Sequence, residues 1–283
     1  MPSAANILKR LKAMKILPVV AIRLTRMISD DTKSLQEFEE VIRLDPTLVL
    51  RLLKIVNSPF YALVSKVDSI AEAIAFVGMN NLRNMIAVDI LKNTIKNDTV
   101  HTSFSRNNLW LHSAAVGICS QLISERVFEQ KGDDAFLCGL IHDIGLIVED
   151  QIEPELFIKV CDLYDLGGKQ IDDCEREILG TDHTQIGFLI AKDWHLPVEV
   201  QDGIKYHHEI IDNVDPESII GIIKISEYLV YRLNYAPFPN MKSILPKSLI
   251  KHMQASIKDY KAIAMDLPDE LKKADALFSM DQE

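Results

Sequence analysis

The chain has 283 residues, 48% of them hydrophobic and 25% charged, with a net charge of −10. That composition excludes disorder, and the charge disfavours nonspecific nucleic-acid binding, so no DNA partner is expected. At ~150 residues per domain, the length suits two modules with cores that need no disulfide staple.

Gly and Pro together are 22 of 283 residues, roughly 8% against an average near 12%, which points to a mostly helical chain. No segment alternates as a strand would, so the expected fold class is all-α. No apolar run reaches ~18 residues, which leaves no membrane span. The first twenty residues mix four basic side chains with apolar ones and offer no signal-peptide core. The four cysteines form no C-x-x-C pair and read as reduced thiols, so a cytoplasmic location is expected. Charge is uneven. Residues 1–100 hold 14 basic and 10 acidic side chains, net +4, leaving 17 and 31, net −14, for residues 101–283.

In chain order, Lys9, Arg10, Lys12, Lys15, Arg23 and Arg26 read first as a solvated helix face. An acidic partner or a membrane surface is the alternative for them. Ser34 and Glu37 form a capping box that opens a helix with Leu35, Phe38, Val41 and Ile42 on one face. Asp45 before Pro46 starts another, stacking Leu48, Val49, Leu52, Leu53 and Val56 and stopping at Asn57-Ser58-Pro59. Phe60 and Tyr61 then read as packing between modules. A second capping box, Ser69 with Glu72, opens a helix that ends near Gly78. The next runs from about Asn80 through Leu82, Met85, Ile86 and Ile90.

The polar stretch 96–108 reads as a boundary, followed by a helix carrying Trp110, His112, Val116 and Leu122. Asp133 and Asp134 are expected to cap the helix that contains the apolar run CGLIHDIGLIV. Glu153-Pro154 opens a helix closed by Gly167-Gly168, and Asp172 to Leu179 forms a short one closed by Gly180. Asp182 caps a helix through Ile186 and Ile190. Pro197 opens one through Val200, Ile204 and His207, and Glu217 to Arg232 forms the next. The tail from Ser243 reads as one or two packing helices.

Seven of the eight histidines lie beyond residue 101. His142-Asp143 reads as mid-helix inside an apolar run, where an unpaired charge is costly to bury. His207-His208 follows Ile204 by one helical turn, so at least one imidazole shares its buried face. His183 falls in the first turn of its helix, His112 is mid-helix among apolar neighbours, and Glu227 projects from an apolar stripe. Buried imidazoles and carboxylates without thiolates suit Fe, Mn, Ni or Mg. Two ions bridged by one aspartate could polarise a phosphoryl oxygen and supply hydroxide.

At these residues the chain resembles the HD superfamily of metal-dependent phosphohydrolases, whose signature is the His142-Asp143 pair. More closely, from about Leu17 to Arg232, it resembles the HDOD (HD-related output domain) family. The segments LDPTLVLRLLKIVNSPFYAL, SIAEAIAFVGMNNLRNMI, DDAFLCGLIHDIGLIV and EREILGTDHTQIGFLIAKDWHLP carry that likeness. It implies an N-terminal helical bundle (residues 1–98) packed on an HD-like helical core (99–235), with a C-terminal helical extension (236–283). It also implies a bacterial signal-transduction or regulatory module.

The chain is similar to the HD-GYP cyclic-dinucleotide phosphodiesterases at most metal-ligand positions. His112, His142, Asp143, His183, His207 and His208 match in order, and Glu227 stands where that family has an aspartate. Three features depart from it. Leu146 replaces the lysine of HDxGK, Asn108 stands where some members have a glutamate, and no GYP segment follows the paired histidines. The expectation is therefore a regulatory HDOD module with a retained divalent-metal site, Fe or Mn before Ni or Mg. Its partner would be a signalling protein or a nucleotide. The alternatives are a metal-dependent phosphohydrolase or phosphodiesterase with Asp143 as catalytic residue and catalysis weakened or lost, and a metal-free polar core.

Overall fold

The computed structural model describes residues 3–14, 23–24, 27, 33–57, 66–95, 101, 103–241 and 243–279. Ser58, Pro59, Phe60, Tyr61, Lys15 and Arg26 lie outside these, as do residues 96–100 of the expected boundary. Nor are the side chains of Lys12 and Ile90 described. Among the described residues every regular element is a helix, so the fold is all-α. None of these helices is long and apolar enough to cross a membrane.

Local signals set the first elements. In α2 (Leu35–Ile42) the Ser34 hydroxyl accepts from the Glu37 amide at 3.3 Å, and Glu37 Oε2 accepts from the Ser34 amide at 2.9 Å. Asp45 accepts from the Leu48 amide at 3.1 Å and opens α3 (Pro46–Val56), which buries Leu48, Leu52 and Val56. Helix α4 (Ile70–Val77) has half of the expected box. Ser69 accepts from the Glu72 amide, but no return bond from Glu72 is seen among the described residues. Gly78, at φ 80°, turns the chain into α5 (Met79–Ile95).

Helix α1 (Ala4–Met14) buries Ile7 and Leu11, and Arg10 pairs with Glu153 and donates to the Ile152 carbonyl at 2.6 Å. Arg10 thus makes a docking contact while half of its side chain stays exposed, as the solvated-face reading expected.

The central element is α6 (Arg106–Arg126), capped by Ser105, so its first turn lies inside the polar stretch expected to be a boundary. Against it pack α5, α7 (Asp133–Ile141), α13 (Ile219–Arg232) and α15 (Ile257–Ser279). Helices α6 and α7 cross very closely. A Cβ on Gly139 would meet the Gly117 backbone at 2.8 Å, so only glycine fits there. Asp133 and Asp134 do not cap α7. Its N-cap is Gly132, without a side-chain bond. The two acids instead dock α5: Arg83 pairs with Asp134, and Asn80 reaches the Asp133 carboxylate at 3.2 Å.

A second correction concerns His142 and Asp143, which are not mid-helix. Helix α7 ends at Ile141 and α8 (Ile144–Ile152) begins at Ile144, with His142 and Asp143 as the joint. Helix α8 packs on α11 (His183–Asp193) and on α9 (Pro154–Asp165), which in turn packs on α10 (Ile171–Leu179). Helix α1 covers α8 and α11. Asp182 caps α11 as expected, accepting from the Gln185 amide at 3.0 Å. Helix α12 (Val198–Tyr206) joins α11 to α13, which starts at Ile219 behind the Ser218 cap, two residues later than read. The tail forms α14 (Lys247–Ala255) and α15, burying Leu249, Met253, Tyr260, Ile263 and Leu267.

Candidate metal centre

Four imidazoles converge on Asp143. His142 is the C-cap of α7 and His207 the C-cap of α12. A helix end leaves its last carbonyls without amide partners. Each histidine donates its Nδ1 proton to the carbonyl three residues back: His142 to Gly139 at 2.8 Å, His207 to Ile204 at 2.7 Å. His112, in the second turn of α6, donates Nδ1 to the Tyr235 carbonyl beyond α13 at 2.9 Å. His183, the first residue of α11, gives Nδ1 to Glu175 of α10 at 2.7 Å. Carbonyl and carboxylate oxygens only accept, so the Nδ1 atoms hold protons and the four Nε2 atoms face inward.

The inward nitrogens are paired. His112 and His142 Nε2 lie 3.2 Å apart, and His183 and His207 Nε2 lie 3.3 Å apart. Asp143 divides its carboxylate between the pairs. Oδ2 is 3.3 Å from His142 and 3.5 Å from His112, and Oδ1 is 3.4 Å from His183 and 3.5 Å from His207. Glu227 joins the first pair, 3.8 Å from His142 Nε2. The donor atoms of His112, His142 and Glu227 lie within 4.8 Å of one another, as do those of Asp143, His183, His207 and His208. Ligands about 2.1 Å from a common ion and roughly 90–110° apart are separated by about 3.0–3.4 Å. The paired Nε2 atoms have that spacing, and the carboxylate oxygens stand at 3.3–3.8 Å from them.

The group needs positive charge. His112, Asp143, His142, His183, His207 and Glu227 are all buried, and Asp143 Oδ1 has no hydrogen-bond partner. Burial disfavours the Asp143 carboxylate, but His142, His207 and His183 outweigh it and hold its pKa well below the usual range. Burial also opposes charge on His142 and His183; Asp143 overcomes it for His142 and Glu175 for His183, so both are more basic than ordinary imidazole. Burial and the neighbouring His142 push His112 down to about 3, and burial with His207 pushes His208 well down. The divided carboxylate and the paired Nε2 atoms fit divalent ions.

All seven candidate ligands read from the sequence are thus brought together. Asn108 is not, being exposed in the first turn of α6. Leu146 is 1% exposed and packs in the core, so the position of the missing lysine is one of packing here. Sequence reasoning missed the residues that orient the ligands. Glu175 accepts from both the backbone amide and Nδ1 of His183, and Tyr231 donates to Glu227 Oε1 at 3.0 Å while stacking on His112. Tyr231 stands four residues after Glu227, a spacing that could have revealed it. Glu175 and Tyr235 left no such signal, because their partners come from other helices. A cleft of about 710 Å³ opens onto His207, His208, Glu227 and Tyr231, with Arg176 and Lys224 along its wall and Ile210 and Ile244 exposed at its rim.

A profile of the HDOD domain matches residues 14–210, most of the chain and every candidate ligand except Glu227. The chain belongs to the HDOD family. An uncharacterized protein of Treponema pallidum (strain Nichols) is 27% identical over 214 residues, 73% of this chain. The HDOD chain spans 40% of that relative's length.

Solved structures share the fold. An HDOD domain protein of unknown function from Geobacter sulfurreducens has a TM-score of 0.63 at 22% identity, covering 89% of this chain and 92% of its own. A Shewanella amazonensis SB2B protein, provisionally named a phosphohydrolase, has a TM-score of 0.65 at 19% identity, covering 98% and 96%. A Marinobacter aquaeolei VT8 protein, provisionally named a signal transduction protein, reaches 0.71 at 18% identity, covering 93% of this chain and 59% of its own.

Proposed function

We propose that this HDOD chain is a regulatory signalling module built around a dinuclear divalent-metal site. One observation carries the reading: four Nδ1-tethered imidazoles present Nε2 to the two oxygens of one buried aspartate. His112, His142 and Glu227 would hold one ion, and His183, His207 and His208 the other, with Asp143 between them. The donors are nitrogen and carboxylate oxygen, which favours Fe or Mn, then Ni or Mg. The buried Cys138 thiol points to the Val200 carbonyl at 3.6 Å and belongs to neither group of converging donors. A signalling protein or a nucleotide is the partner class proposed for the cleft.

A second reading, metal-dependent phosphohydrolase, is favoured by the cleft that reaches the ligands from outside. Bound divalent ions would supply Lewis acidity and a water with a pKa near ~7. For that chemistry Asp143 would fix the spacing of the two half-sites, and Tyr231 would hold Glu227 in one orientation. Leu146 in the core and Asn108 on the surface support the regulatory reading over this one.

The test is metal content per chain by elemental analysis, after purification without chelators or a metal-affinity tag. One to two equivalents of Fe, Mn or Ni, lost in a His142→Ala, Asp143→Ala double variant, are expected. Inactivity of the loaded protein toward bis(p-nitrophenyl) phosphate would support the regulatory role; turnover abolished in the double variant would establish hydrolysis. A folded protein that stays metal-free after Mn and Fe supplementation would overturn both readings.

A further inference from the structure

Lys224 is a buried ionisable side chain in the cleft wall that neither reading uses. It lies one turn before Glu227 on α13 and is 4% exposed, although an unpaired buried ammonium is costly. Two short bonds account for it. Nζ donates to the His207 carbonyl at 2.5 Å and to the Glu209 carbonyl at 2.7 Å. Both carbonyls lie past the end of α12, where the helix no longer supplies amide partners and a cation is favoured. The two bonded carbonyls flank His208 and include that of His207, so one ammonium grips the segment that carries two candidate ligands.

Among the described residues, the buried His207 ring packs on His142, His183 and His208, and few other hydrogen bonds hold the segment. The Glu209 amide donates to the Tyr206 carbonyl at 3.1 Å, and the His207 ring is tethered to Ile204. The other half-site does not depend on it. His112 is tethered to the Tyr235 carbonyl, His142 to the end of α7, and Glu227 to Tyr231, and none of these bonds involves residues 207–209. The two halves of the cluster therefore rest on different hydrogen bonds, although α13 carries both Lys224 and Glu227.

We propose that Lys224 is the positioning residue of the His207–Glu209 segment, and that the half-site of Asp143, His183, His207 and His208 takes its ion only while Lys224 holds it. The inference rests on the dinuclear reading for its metal readout alone; its effect on the backbone can be measured without metal. A cation beside a metal site also repels the incoming ion, so two effects of opposite sign compete. If Lys224 acted only as a charge, removing it would tighten binding. If it acts as a tether, removal weakens one half-site and spares the other.

The deciding variant is Lys224→Met, which keeps the length of the stem and removes the donors, with Lys224→Arg as the conservative partner. Demetallated full-length proteins are titrated with Mn(II), free ion being followed by its paramagnetic resonance. Amide hydrogen exchange of residues 207–211 is measured in the same metal-free samples. Wild type is expected to bind two ions. Lys224→Met should bind one with unchanged affinity and the second at least tenfold more weakly, with exchange at Glu209 at least tenfold faster. Lys224→Arg should keep two ions. Two unchanged sites in Lys224→Met, tighter binding, or equal weakening of both sites would each overturn the proposal. If the wild type binds no Mn(II), the dinuclear reading fails and exchange alone decides. Unchanged protection at residues 207–211 in Lys224→Met then overturns the tether, and faster exchange there supports it.

Discussion

A histidine at the C-terminal end of a helix has two ring nitrogens and an unpaired carbonyl within reach. His142 and His207 use that geometry in the same way, giving Nδ1 to the carbonyl three residues back and turning Nε2 outward from the helix end. The bond satisfies a helix terminus and fixes a ligand at once. The same residues set a pH dependence. His142 and His183 are held more basic than ordinary imidazole by Asp143 and Glu175, against the effect of burial. An ion must displace the protons they carry, and raised basicity means those protons persist to higher pH than in a free histidine. Mn(II) affinity should therefore climb as pH rises from 6 to 8, by up to about tenfold per unit for each proton displaced. Titrations at pH 6, 7 and 8 check this; a flat profile would show that protons and metal do not compete for these rings.

At the scale of elements, the site depends on how helix ends are held together. Arg106 opens α6, the helix of His112, and its Nε donates to Asp150 of α8, the helix that follows Asp143. Both side chains are buried, at 8% and 0% exposure. Removing the charge from one side of this buried pair is destabilising, so Asp150→Asn should cost up to about 3–5 kcal/mol, read from urea unfolding of the metal-free protein. A loss below ~1 kcal/mol would mean the pair adds little to holding α6 on α8.

Much at this scale was legible. Ser34 with Glu37, Asp45, Gly78, Gly180 and Asp182 act over three or four residues of chain, and the structure keeps each where it was read. The break at His142-Asp143 was not legible, because CGLIHDIGLIV is apolar throughout and reads as one helix. Its cause is distant in sequence. A Cβ on Gly145 would stand 2.1 Å from the His183 carbonyl, so α8 must start against the backbone of α11. Asp133 and Asp134 misled for a similar reason: their position before an apolar run is that of caps, while the partner that claims Asp134 is Arg83, 51 residues away.

At the scale of the molecule, the cluster stands where α6, α7, α8, α11, α12 and α13 meet, so an ion bound there joins most of the core. Ligands that bind only the folded chain stabilise it by mass action, about 4 kcal/mol when free ion exceeds the dissociation constant a thousandfold. Adding Mn(II) to chelator-treated protein should raise its melting temperature by several degrees. His142→Ala, Asp143→Ala should abolish the rise; an equal rise in that variant would place the stabilising ion elsewhere.

The sequence by itself determined the helical class, most helix ends, the HDOD likeness and the candidate ligands. Each of these depends on residue type at short spacing, through caps, glycines, apolar periodicity and adjacent His-Asp or His-His pairs. Only the tertiary structure decided that His112, Asp143, His183 and Glu227 share one site, that Asp143 divides its carboxylate, and that Glu175 and Tyr231 bond to the candidate ligands. The Glu175–His183 and Glu227–Tyr231 bonds span only eight and four residues, but the relations among His112, Asp143, His183 and Glu227 span 31 to 115. They follow from how closely glycine-lined helices cross, a distance that no local pattern encodes.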